Sequence, residues 1–150
     1  MNNGWRIAWL YLVLLVSLPA AAQEPFNDDK PFAEAHIILQ VSQAEASRQS
    51  LALDIANNLG KHYGSQDLVD IQLIAFGPGV PLLFEDSPFR ERVESLMLHG
   101  VRFFVCGNTL DTLERRDGRR AQLLAGVETV QTGAAYMIEQ IIEGYVHVHP

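Results

Sequence analysis

Apolar residues along this chain gather into five short runs, separated by longer stretches in which they recur every three or four positions. His36–Val41, Leu68–Phe76, Val101–Cys106, Val127–Val130 and Tyr145–Val148 are rich in β-branched and aliphatic residues. Runs of that length and make-up predict strands buried on both faces. Between the first two, Ser42 and Glu45 have the S-x-x-E spacing of a capping box. Ala52, Ile55, Ala56 and Leu59 then recur at helical intervals until Gly60 and Gly64. Gly77, Pro78 and Gly79 can continue neither helix nor strand, so a loop of about a dozen residues is expected there. A second helix is expected from near Pro88, with Val93, Leu96 and Met97 inward and His99 and Gly100 at its end. Asn108–Leu124 predicts one broken or two short helices, interrupted at Asp117 and Gly118. Thr132 or Gly133 opens a last helix carrying Met137, Ile138, Ile141 and Ile142. Strands alternating with helices predict one α/β domain over residues 36–150, with a mostly parallel five-stranded sheet covered by helices on both faces and joined by right-handed crossovers. The pattern does not set the order of the strands.

A longer apolar run stands apart at the amino terminus. Met1–Arg6 carries one basic side chain and no acid, Ile7–Leu18 is nearly unbroken, and Pro19 leads into Ala20, Ala21 and Ala22. A spanning helix needs about 20 apolar residues, and this run is shorter. The layout predicts a cleavable signal peptide over residues 1–22, cleavage before Gln23, and a periplasmic or secreted product with no stable membrane insertion. An uncleaved anchor is the alternative. Residues 23–35 mix Pro25, Asn27, Asp28, Asp29, Lys30 and Pro31 without an apolar period and read as an extended arm.

Cleavage changes the charge as well as the length. It removes Arg6, Trp5 and Trp9, leaving ten basic against eighteen acidic residues, a net charge of −8 on 128 residues. Such a surface repels phosphate backbones, so nucleic acid is not an expected partner. A chain of this size forms one domain without covalent staples.

Cys106 is the only cysteine, so no internal disulfide is possible in a compartment that would favour one. It ends its strand, and Gly107, Asn108 and Thr109 lead at once into a helix. Ligands of open parallel sheets bind outside the carboxyl ends of strands, and a helix start stabilises an anion. The thiol is therefore a candidate nucleophile; equally, it can be a small packing residue. Gly77, Pro78 and Gly79 end the neighbouring strand and, with Gly107, Asn108 and Thr109, are candidates for shaping a pocket. Arg115, Arg116, Arg119 and Arg120 either form a positive patch for an oxyanion or sulfur anion beside the thiol, or lie as a solvated helix end offset by Asp111, Glu114 and Asp117. His147 and His149 alternate on one strand face, as two metal ligands would, without a third; His36, His62 and His99 are scattered. No metal or cofactor is expected.

Several segments occur together in an order that resembles the DsrE/DsrF-like (YchN-like) family. They are Ile37–Ser42, Ala75-Phe76-Gly77-Pro78-Gly79-Val80, and Gly100-Val101 through Cys106-Gly107-Asn108-Thr109-Leu110. Gly126-Val127, Val130, Gly133, Glu143-Gly144-Tyr145 and Pro150 extend the likeness over nearly all of residues 36–150. The resemblance implies a flavodoxin-like sheet, homotrimers or hexamers, and a role in sulfur metabolism. It also implies a cysteine, matched here by Cys106, that carries persulfide sulfur between donor and acceptor proteins. The Gly107-Asn108-Thr109 turn resembles the exported branch of the family. Two functions of different kinds follow: a sulfur carrier or sulfurtransferase-like protein working through Cys106, or a non-catalytic oligomeric module that binds a small anion or a partner with Cys106 merely packed. A metal-binding protein using His147 and His149 is a third.

Overall fold

The computed structural model describes residues 30–150. The expected signal peptide and residues 23–29 of the expected arm lie outside the described residues. Ten elements follow in order: β1 (Ala35–Val41), α1 (Ala46–Tyr63), β2 (Val69–Ala75), a 3-10 segment (Gly77–Leu83), α2 (Arg90–Leu98), β3 (Arg102–Cys106), α3 (Gly107–Asp117), β4 (Glu128–Val130), α4 (Gly133–Ile142) and β5 (Val146–Val148). The five strands form one sheet in the order β4-β3-β2-β1-β5, and every pair is parallel. This is the open α/β architecture that the alternation of elements predicts, and the flavodoxin-like sheet that the family resemblance implies.

The chain steps across the sheet one strand at a time from β1 to β4, then returns through α4 to lay β5 beside β1. The alternation of side chains along a strand divides the interior in two. Ile37, Leu39 and Val41 of β1, Ile71, Leu73 and Ala75 of β2, and Phe103 and Val105 of β3 point to one face. There they pack with Ala52, Leu53 and Ala56 of α1, Val93 and Leu96 of α2, and Leu110 of α3. Ile38, Ile74 and Phe104 point to the other, where with Tyr145 they make a smaller core joined by Tyr136 and Met137 of α4. β2 is buried at every position because it lies in the middle of the sheet with both faces covered.

The structure revises five local expectations. Glu45, not Ser42, caps α1, without a side-chain bond; the Ser42 hydroxyl instead accepts from Gln40 Nε2 at 3.0 Å, so the capping box does not form. α1 passes through Gly60 and ends at Gly64, whose φ of +74° only glycine takes without strain. The segment after Phe76 is not an open loop but the 3-10 segment, which buries Val80, Leu82 and Leu83; those three apolar residues need a face to cover. Pro88 precedes the cap residue Phe89 and so stands outside the first turn of α2. Asn108–Leu124 holds one helix, closed by Gly118 at φ +72°. Beyond it, Arg119 and Arg120 offer no apolar stripe for a second helix, and the chain runs on to an antiparallel bridge between Leu123 and Phe84.

Polar side chains pin the amino-terminal end of the sheet. Asp70, fully buried in β2, takes hydrogen bonds on Oδ2 from Arg102 Nη2 at 2.7 Å and from the Tyr145 hydroxyl at 2.5 Å, with His36 Nδ1 4.0 Å away. One carboxylate thus joins β1, β2, β3 and the entry to β5. Lys30 adds a tether: its ammonium donates to the carbonyls of Gly100 at 2.7 Å and Val69 at 3.0 Å, and burial pulls its pKa below the usual lysine range. On the α4 face, the Tyr136 hydroxyl donates to Gln72 Oε1 at 2.8 Å and Gln72 Nε2 donates to Gln140 Oε1 at 2.9 Å. Burial raises Tyr136 to about 12, so its phenol remains a donor across the physiological range.

Removing Asp70 strands the Arg102 guanidinium in a site with little access to water. Asp70→Ala is expected to lower unfolding free energy in urea by about 3 kcal/mol. Asp54→Ala, which breaks an exposed pair with Arg92, is expected to cost under about 1 kcal/mol. Equal losses from the two would show that the buried pair carries no special weight.

Candidate functional site

Cys106 occupies the last position of β3 and is also the cap residue of α3. Its neighbour in register is Val130, the last residue of β4, after which Gln131 and Thr132 lead directly into α4. Two strands therefore end side by side, and two helices begin beside one sulfur. No side-chain bond closes onto the first turn of α3, so its amides act on charge at the sulfur, that of Asn108 being shared with the Gln131 carbonyl.

The surroundings act on the thiol in opposite directions. Cys106 is 6 % exposed, and burial alone pushes its pKa up. Against that stand the amide of Gly133 at the start of α4, the hydroxyl and amide of Thr109, and the amide of Asn108, and together they hold the pKa below the ordinary cysteine value. The sequence offers a thiolate at a helix start or a packed thiol as alternatives; here the thiol is buried and its anion is stabilised all the same. A ring of N–H donors replaces water around the charge. In its protonated form the thiol donates to the carbonyl of Gln131, 3.8 Å away.

Neighbouring residues fix this arrangement closely. A Cβ on Gly133 would sit 3.0 Å from Cys106 Cβ, 3.3 Å from Phe76 Cβ and 3.4 Å from Ile74 Cδ1. Only glycine lets the start of α4 approach the sulfur so closely. Asn108 joins the two helix starts: its amide donates to the Gln131 carbonyl at 3.0 Å, its Nδ2 to Thr132 Oγ1 at 3.0 Å, and its Oδ1 accepts from Gln131 Nε2 at 2.7 Å. On the other side, the Gly77 amide donates to Thr109 Oγ1 at 3.0 Å.

The predicted residues divide accordingly. Gly107, Asn108 and Thr109 lie with Cys106, and Gly107 is buried against Gln131. Gly77, at φ +55°, reaches the site through Thr109. Pro78 is exposed at the start of the 3-10 segment. Gly79 is a packing residue, since a Cβ there would lie 2.3 Å from the Val41 carbonyl oxygen. The arginines do not gather around the sulfur. Arg115 and Arg116 lie in the last turn of α3, and Arg119 and Arg120 follow its closing Gly118. Arg116 pairs with Asp117, Arg120 pairs with Asp111 and Glu114, and Arg115 donates to Thr112. His147 and His149 stack with ring centroids 6.4 Å apart, and His147 Nε2 lies 3.0 Å from Gln40 Oε1. Among the described residues no three His, Cys, Asp or Glu side chains group as metal ligands, and no helix is long and apolar enough to cross a membrane. Gln131 and Gly133 are the site residues that sequence reasoning missed. The signal was present, because Val130 to Gly133 repeats the strand-to-helix junction that singled out Cys106.

The model of the DsrE/DsrF-like family matches residues 35–150. No curated protein matches the chain in sequence. Among solved structures, the protein of unknown function MTH1491 from Methanobacterium thermoautotrophicum is 30 % identical, with a TM-score of 0.69, over 78 % of this chain and 100 % of its own.

Gly133→Ala tests the closeness of the two helix starts. The added methyl meets atoms fixed to β3 and to the end of β2, which cannot turn aside. The variant is expected to lose about 1–3 kcal/mol in urea unfolding, as overpacked interiors do. Wild-type stability in this variant would mean that α4 starts farther from Cys106 than the geometry gives.

Proposed function

This chain belongs to the DsrE/DsrF-like family, and from that premise we propose that it is an exported sulfur carrier, sulfurtransferase-like in its chemistry, with Cys106 as the thiol that holds sulfane sulfur as a persulfide. The observation that carries the reading is the convergence of the α3 and α4 amino termini on the chain's only sulfhydryl. A thiolate attacks the outer sulfur of a donor persulfide or polysulfide. The new S–S bond forms as the donor's S–S bond breaks, and the electron pair leaves with the donor thiolate or the shortened polysulfide. There is no net oxidation. The product, Cys–S–S⁻, carries its charge on the added sulfur, and the same amides serve that anion. An acceptor thiolate reverses the step.

Intact mass of protein recovered from an exporting host reads the location and the chemistry together. The chain is expected to begin at Gln23 and to gain one sulfur atom after exposure to polysulfide, with no gain in Cys106→Ala. A chain that keeps Met1 removes the export reading. An unmodified wild type whose thiol reacts only after denaturation leaves the non-catalytic binding module as the reading.

We also propose that copies of the chain associate through α4 and β5, as a homo-oligomer. Ile142 is 80 % exposed and Val146 62 %, with Ile138 and Ile141 exposed beside them. Exposed apolar side chains gathered in this way mark an interface between chains. Light scattering is expected to give a trimer or a multiple of one for the wild type, and a smaller species for Ile138→Glu combined with Ile142→Glu. A wild-type monomer at micromolar concentration overturns this.

A further inference from the structure

The two helix starts that meet at Cys106 belong to separate strand-to-helix connections, and the β3–β4 ladder that brings them together ends at Cys106 and Val130. β4 contributes three paired residues at the sheet edge, and within α4 only Gly133 is buried. Asn108 contributes three hydrogen bonds across the gap between the connections just beyond the sulfur, where Asp111 of α3 also meets the Gln131 side chain. The Asn108 backbone N–H donates to the Gln131 carbonyl, its Nδ2 to Thr132 Oγ1, and its Oδ1 accepts from Gln131 Nε2. An amide side chain is suited to this, because it offers a donor and an acceptor in one plane and adds no charge next to an anion. Gln131 and Thr132 are the two residues immediately before Gly133.

We propose that Asn108 is a positioning residue for the Cys106 thiolate, clasping the β4–α4 junction through Gln131 and Thr132 so that the Gly133 amide is held against the sulfur. The proposal rests on the reading of Cys106 as a working thiolate. Asn108 does not bond the sulfur through its side chain; it acts through the Gly133 amide and by fixing the turn that carries its own. With the clasp open, the start of α4 moves away from the sulfur and water reaches the thiol without supplying oriented donors in its place.

The experiment is the pH dependence of Cys106 alkylation by iodoacetamide in the purified protein, comparing wild type, Asn108→Ala, Gln131→Ala, the double variant, and Arg92→Ala as a control. Arg92 of α2 bonds Ser50 and Asp54 of α1, two helices that carry no residue of the site, so its loss removes comparable hydrogen bonds elsewhere. The expected wild-type inflection lies below the free-cysteine value of about 8.5. A hydrogen bond to a charged group is large enough to move a pKa by about one unit. Asn108→Ala is therefore expected to raise the inflection by about that much, a roughly tenfold loss of thiolate at a pH below both inflections. Gln131→Ala is expected to give a shift in the same direction, the double variant no more than the larger single effect, and Arg92→Ala none. Gln131 is exposed, so that variant keeps the test valid if Asn108→Ala folds poorly. An unshifted inflection in both single variants overturns the clasp while leaving the thiolate reading intact. An equal shift in Arg92→Ala overturns it by showing a general structural effect. A wild-type inflection above about 8.5 removes the thiolate itself, and the clasp with it.

Discussion

The parallel pairing of β1 with β2, seven residues in register from Ala35 with Val69 to Val41 with Ala75, is the constraint on which everything else hangs. Parallel strands leave no room for a hairpin, so each connection has to travel back along the sheet, and the shortest way to bury that connection is a helix. Both faces are then covered, which is why β2 tolerates almost nothing polar and why Asp70 and Gln72 are bonded where they occur. The same geometry brings every strand's carboxyl end to one rim, with a helix or 3-10 start beside it. Cys106 stands at that rim because it is the last residue of β3.

A buried thiol with a lowered pKa is a balance of two large effects. Taking an anion out of water is costly, and in an apolar pocket the proton would stay. Each charge-assisted hydrogen bond returns about 1.5–3 kcal/mol, and four groups at two helix starts act on this sulfur. The donors win here because three of the four are backbone amides fixed by helix geometry, with no side-chain entropy left to lose on meeting the charge. Shielding from bulk water and reactivity are thus compatible, and for a species as easily lost to stray thiols as a persulfide, shielding is useful in itself.

The strands were readable because a buried parallel strand is a continuous apolar run, and Cys106 was readable because it stands where such a run meets a helix. The capping box failed because Ser42 found a nearer partner in Gln40, a contact that depends on where β1 stops in space. Of the two readings of the arginines, the solvated helix end holds, because Asp111, Glu114 and Asp117 take up the charge of Arg116 and Arg120. Gln131 and Gly133 lie about 25 residues from Cys106, and only the pairing of β3 with β4 brings them to it. Asp70 sat unremarked in an apolar run whose partners were distributed over three other strands or their approaches. Local pattern reveals elements and their ends; it does not reveal which ends become neighbours.

The outer strands, β4 and β5, are three residues long. An open sheet normally invites another strand along its margin, the route by which such proteins fuse into fibrils. Here each margin offers only a rung or two before the backbone turns away. The template is too brief to recruit an extended chain. Molecules approaching this protein are left to recognise its side chains, and crowding in a dense compartment meets a sheet that cannot be lengthened by accident.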